Sequence, residues 1–164
     1  MGRAGLAGDE NGSAIIGSRI ARDVMRLAFL MEKQYPPYPK WFGTAFLRLE
    51  CSSTLVPILT RILHSATWEE REDALCRAYQ MLGEIHNSLK ITESISPEIS
   101  RFFGRPFRVI RGERFAKNIL QKISDPELVP LTRRSLIGNI DIISDNTDVL
   151  EDPSLRPNIL GFFE

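Results

Sequence analysis

Seven side chains in this sequence have the types and neighbours that ligand chemistry uses: Arg22, Arg26, Tyr38, Lys40, Trp41, His86 and Asn87. A lysine beside a tryptophan sets a point charge next to a stacking face. Arginines one helical turn apart offer two forks for phosphate oxygens. His86-Asn87 supplies donors and acceptors, and an imidazole can act as a general base near neutral pH. Each group also has a purely structural reading. Arg19, Arg22 and Arg26, with Asp23 among them, fit a solvated helix face with one internal ion pair. His86 fits a hydrogen-bonded core histidine, since an unpaired polar group in a core costs a few kcal/mol. The residues alone leave both readings open.

Other clusters point less clearly to chemistry. Arg101, Arg105, Arg108, Arg111 and Arg114 bracket Phe102, Phe103 and Phe107, a pattern that binds phosphate or stacks on bases. The alternative is salt bridges to Glu98, Glu113 and nearby aspartates. Asp141, Asp145, Asp148, Glu151 and Asp152 suggest a divalent cation, yet they lack the alternating ligands, central glycine and closing glutamate of a calcium loop. Helix capping explains most of them, and no metal is expected. Cys76 and His86 lie nearly three helical turns apart, too far for a dyad. Arg77 and His86 are likewise too far apart for an Arg/His pair of the compact helical nuclease kind. Walker loop, nucleophile elbow, zinc-binding helix and dinucleotide fingerprint are all missing. No catalytic residue is assigned, and no cofactor is expected.

Composition narrows the class. With 164 residues, the chain is long enough for one domain with a real core. Twenty-one basic residues balance twenty-one acidic ones, so the net charge favours neither an extended nucleic-acid surface nor an anionic membrane. A small phosphate-bearing or nucleotide ligand fits better. No apolar run approaches the roughly 18–20 residues of a membrane span. Two cysteines, Cys51 and Cys76, make no disulfide framework, and a cytoplasmic location is expected.

The elements that would position these groups are helical. Ile16, Ile20, Val24, Leu27 and Met31 form an apolar stripe, with Asp9, Asn11 or Ser13 as cap and Pro36-Pro37 as stop. Then comes Tyr35–Phe46, twelve residues with three prolines and five aromatics. In it Phe42 and Phe46 are expected to plug the core, Gly43 to let backbones approach, and Lys40 and Trp41 to face a ligand. A short helix is predicted over 41–49, with Leu47 and Leu49 as core residues. An apolar helix follows over 53–65, with Pro57 in its first turn. Thr67 to Glu70 is a capping box, opening a long helix with Leu75, Tyr79, Leu82, His86 and Leu89 as its seam. Ser96-Pro97-Glu98 predicts a short helix to about Phe103, and Phe107–Ile123 a further one. Asp125-Pro126-Glu127 opens another, with Leu131, Leu136 and Ile137 inward, and Asp145 to Asp148 cap one more turn. The fold expected is all-α, a single-domain irregular bundle of about six to eight helices. Residues 1–10 would be a flexible lead-in, 11–150 the helical domain, and 151–164 an apolar tail packed on it.

Several strings together resemble a known family. They are Gly8-Asp-Glu-Asn-Gly-Ser13, Arg22-Asp-Val-Met-Arg-Leu27, Tyr38-Pro-Lys-Trp-Phe-Gly-Thr-Ala-Phe46, His86-Asn87 and Asp141 through Leu150. The resemblance is to the uncharacterised helical domain that commonly follows a nucleotidyltransferase-like domain. It covers about residues 8–150, and Lys40 to Phe46 is its most specific string. Gly12-Ser13 and Gly17-Ser18 are similar to the Gly-Ser of nucleotidyltransferases, but no Asp-x-Asp follows to hold the two metals of phosphoryl chemistry. The resemblance therefore implies a non-catalytic companion, truncated or stand-alone, binding a substrate or a nucleotidyltransferase-like partner domain. A structural module acting as a homodimer or hetero-partner is the alternative.

Overall fold

A computed structural model of the chain describes residues 1–133 and 153–155. The fold is all-α: α1 Gly2–Leu6, α2 Glu10–Met31, α3 Pro39–Phe46, α4 Ser52–His64, α5 Trp68–Ser88 and α6 Glu113–Lys122. The exception among the described residues is a two-residue antiparallel ladder, β1 Ser100–Arg101 against β2 Arg108–Val109, with Ser100 opposite Val109. The chain divides into two compact units, Met1–Lys122 and Ile123–Glu164.

In the first unit the core is built by α2, α3, α4 and α5. Leu55, Leu59 and Ile62 of α4 and Leu75, Ala78 and Leu82 of α5 are buried together with α2 residues. The α5 seam follows the helical spacing read from the sequence. On α2 the outcome differs. The buried stripe is Ser13, Gly17, Ala21, Val24 and Ala28, joined by Phe29, whereas Ile16 and Leu27 are exposed. Small residues let the backbones approach closely, and the large aliphatic side chains are turned to the flanks.

Arg71 sets that rotation. It is 2% exposed, and its side chain lies across α2, where a Cβ on Gly17 would come within 2.4 Å of Arg71 Cδ. Nη1 donates to Ser13 Oγ at 2.7 Å and to Glu10 Oε2 at 3.3 Å, while Nη2 donates to the Ser65 carbonyl at 2.9 Å. The other Glu10 oxygen accepts from the Trp68 amide at 3.0 Å. A charged residue on the first turns of an amphipathic helix reads as solvated, and nothing around Arg71 in the sequence signals its burial.

Helix ends follow local chemistry. The Asp9 side chain accepts from Gly12 N and caps α2. The stop is not Pro36-Pro37: Lys33 takes a left-handed φ of 55°, and Gln34 N reaches back to Phe29 O. This six-to-one bond ends the helix several residues before the prolines. Glu32 then accepts from Glu50 N at 2.8 Å and Cys51 N at 2.9 Å, fixing the turn into α4 beside α2. The Thr67 side chain accepts from Glu70 N, and Glu70 returns a bond to Ala66 N, completing the predicted cap of α5. Pro57 lies one turn deeper in α4 than expected, on its exposed side.

Other expectations are corrected. Residues 1–10 are not a loose lead-in, since α1 is helical and its Gly5 is buried against the Trp68 ring. No helix forms over 97–103 or at 107–112. Instead Glu72 of α5 accepts from the Arg108 amide and Nε, and this long-range pair holds the segment as a ladder. Leu47 is exposed while Leu49 is buried. Gly43 has open space around its α-carbon and mediates no close approach.

In the second unit Asp125 Oδ1 accepts from Glu127 N, and the described part of the helix expected there holds a 3₁₀ stretch, Val129–Arg133. Pro153–Leu155 forms another. The Asp141–Asp152 cluster, Leu136, Ile137 and most of the apolar tail lie outside the described residues.

Two glycines separate packing from propensity. Gly17→Ala should lower stability by about 1–3 kcal/mol, because Arg71 is pinned at both ends of its guanidinium and cannot yield. Gly43→Ala should raise it by about 0.5–1 kcal/mol through helix propensity alone. Urea denaturation of both variants checks the pair. A second test uses acid. Burial alone would raise the Glu32 carboxyl, but the Cys51 thiol and the Cys51 and Glu50 amides outweigh it and hold it below the ordinary 4.5. A carboxyl lowered in the folded state stabilises above its unfolded value and loses that contribution as pH falls through the folded one. Glu32→Gln should therefore cost about 1–2 kcal/mol at neutral pH. It should also flatten the fall in stability below pH 4.5, read from melting temperatures across that range.

Candidate functional site

The connector between α2 and α3 divides two cavities. One, of about 150 Å³, is lined by Arg22 and Arg26 of α2, the prolines 36, 37 and 39, and Phe42. Arg22, one of the lining residues, has a buried Nε without a hydrogen-bond partner among the described residues. On the other side a cavity of about 810 Å³ lies between Tyr35, Pro37, Glu32, Arg48, Glu50 and the α5 residues Met81, Ile85 and Ser88. Nothing in the sequence signals this second cavity, because its lining comes from three separated segments.

Local chemistry explains how the connector is held. Tyr38 is extended, at φ −61° and ψ 163°, as a residue before proline must be. Pro39 follows at the first position of α3, where its missing amide costs little. Phe42 and Phe46 then turn inward onto Phe29, with ring centroids 5.4 and 6.0 Å away. That anchor leaves the preceding residues at the surface. Tyr35 is 90% exposed, Tyr38 and Trp41 are also exposed, and Lys40 Nζ stands 5.2 Å from the Trp41 ring centroid. Lysine and tryptophan thus touch each other, and form one cationic-aromatic surface next to the Arg22–Arg26 cavity.

His86 and Asn87 do not join that lining. His86 is buried on α5, edge-on to Phe115 at 5.2 Å. Its Nε2 lies 3.0 Å from Thr92 Oγ1, whose own hydrogen goes to the Glu93 carbonyl. The hydroxyl must therefore accept, which makes His86 Nε2 the donor and removes that nitrogen as a base. Both ends of the Asn87 amide are engaged by Ile95, Nδ2 donating to its carbonyl at 2.8 Å and Oδ1 accepting from its amide at 2.9 Å. This pair clamps the segment that follows α5.

Nucleophilic chemistry finds no support. Burial, then the hydrogen bond and charge of Glu32, push the Cys51 thiol up to about 12. Burial pushes Cys76 up to about 11. Neither is a thiolate near neutral pH. Ser13, the serine of the first Gly-Ser pair, is buried under Arg71 and accepts its proton. Among the described residues no three His, Cys, Asp or Glu side chains converge as metal ligands. No described helix is long and apolar enough to cross a membrane. Arg108, for which salt bridges to Glu98, Glu113 or the Asp cluster were the structural alternative, binds Asp73 and Glu72 of α5, and their carboxylates raise its pKa further.

Residues 1–42 match the model of a family described as a domain of unknown function, DUF4037. The matched stretch takes in α1, α2 and the connector through Phe42, so it carries Arg22, Arg26, Tyr38, Lys40 and Trp41 but neither His86 nor Asn87. No curated protein and no solved structure matches the chain.

Proposed function

We propose that this chain is a non-catalytic helical companion module that binds a small phosphate-bearing ligand beside the connector, in the service of a nucleotidyltransferase-like partner domain. The observation that carries the reading is Arg22, which lines a cavity next to exposed aromatic rings and whose buried guanidinium donor Nε has no hydrogen-bond partner among the described residues. A buried donor without an acceptor is costly and is satisfied by a ligand oxygen. At about 150 Å³ the cavity is smaller than the roughly 300 Å³ of sites that enclose a whole ligand. It would take the anionic end, while Trp41, Tyr38 and Lys40 meet the rest.

A second reading has its own observation. Leu30, near the end of α2, is 72% exposed, and Tyr35, at the start of the connector, is 90% exposed. Exposed apolar residues of this size favour a protein partner or a second copy of the chain.

Isothermal titration with ATP and magnesium, extended to other nucleotides and aminoglycosides, tests the first reading. Saturable binding should weaken about tenfold or more in Arg22→Gln and in Trp41→Ala, a change of about 1.4 kcal/mol. Silence across the panel, or wild-type affinity in both variants, would overturn it. Light scattering in the same buffer separates the readings, since a self-associating chain that ignores every ligand favours the second.

A further inference from the structure

The hairpin carried by β1 and β2 has features that neither the core nor the connector explains. Residues 99–112 hold four arginines and no acidic residue. Arg108 is neutralised by Glu72 and Asp73 of α5, and this pair anchors the hairpin base. Arg101 and Arg105 are exposed, and no ion pair to either is found among the described residues. The tip is aromatic. Phe102 and Phe107 stack at 5.7 Å, Phe103 meets Phe102 edge-on at 4.9 Å, and the Arg111 guanidinium covers Phe103 at 4.8 Å.

Phe103 itself is the anomaly. It is 73% exposed and sits at a left-handed φ of 53°. The other non-glycine residues with positive φ among the described residues are Lys33, Lys90 and Arg111. Lys33 and Lys90 terminate α2 and α5, an ordinary use of that geometry. Arg111 is tied by its side chain to Ser100 Oγ and the Arg101 carbonyl. Phe103 ends no helix; it is a central residue of the turn closed by Arg105 N on the Phe102 carbonyl at 3.1 Å, where the residue suited to that conformation, Gly104, stands next to it with open space around it. A large ring is thus kept mostly in solvent at a conformation that glycine would adopt at less cost, with only Phe102 and Arg111 against it, and strain of that kind points to a functional position.

We propose that this hairpin is a platform for a short single-stranded nucleic acid. One base stacks on the open face of Phe103, whose other face is backed by Arg111, and Arg101 and Arg105 contact the flanking phosphates. An exposed ring with a cation behind it suits a base, whereas an acidic peptide would use the arginines and leave the ring idle. The small size of the patch and the neutral chain fit a few nucleotides and exclude a duplex footprint. The surface shares no residue with the connector site.

Fluorescence anisotropy with a short labelled oligothymidylate at low salt tests this. Saturable binding is expected, with a shallow salt dependence that reflects about two phosphate contacts. Phe103→Gly should keep or raise thermal stability, because it relieves the strain, yet weaken binding about tenfold. Arg105→Glu should weaken it as well, and Arg22→Gln should leave it unchanged, which separates this surface from the nucleotide site. No binding by the wild type, wild-type affinity in Phe103→Gly, or equal competition by duplex DNA, polyphosphate or polyglutamate would overturn the proposal.

Discussion

One buried guanidinium organises the helical unit. Arg71 joins the start of α2, the start of α5 and the end of α4, through Ser13, Glu10 and the Ser65 carbonyl. Taking a charge out of water is costly unless its donors are satisfied, so the surroundings must close tightly around it. Only small residues on α2 permit that closure, which is why Ser13 and Gly17 lie beneath the arginine. The rotation of α2 follows from this. Ala21, Val24 and Ala28 continue the buried face, and Arg22 and Arg26 turn towards the proline connector.

The candidate site is thus a consequence of the helix packing. Phe29, on the buried side of α2, receives Phe42 and Phe46, and this aromatic contact ties the connector down at one end. Glu32 holds the following turn at the other, through the amides of Glu50 and Cys51. Between these anchors the prolines restrict the backbone, so Tyr38, Lys40 and Trp41 are displayed with little freedom to lose on binding. The hairpin is held in the same manner, by Arg108 on Glu72 and Asp73. In both places a buried or half-buried ion contact supports an exposed aromatic.

Much of this was legible in the sequence, and the failures share a cause. Hydrophobic spacing located α2, α4 and α5, and local capping chemistry located the start of α5 at Thr67. Phe42 and Phe46 were readable as core because they are one turn apart and follow a helix stop. The rotation of α2 was not readable, because glycine, serine and alanine carry no hydrophobic signal and the larger Ile16 and Leu27 suggested another face. The burial of Arg71 and Glu72 and the pairing of Arg108 were not readable, since their partners are distant in sequence. The hairpin was mistaken for helix because Ser96-Pro97-Glu98 is a sound start signal that a long-range ion pair overrides. Of the candidate residues, Arg22 and Arg26 line one cavity with the prolines and Phe42, whereas His86 and Asn87 are engaged in internal hydrogen bonds that sequence spacing cannot see.

The central claim is that Arg71 and Ser13 act as one unit that fixes α2 against α5. A double-mutant cycle of Ser13→Ala, Arg71→Met and the pair, followed by urea denaturation, tests it most directly. The account predicts a coupling of about 1–3 kcal/mol between the two sites. Effects that add to within about 0.5 kcal/mol would contradict it.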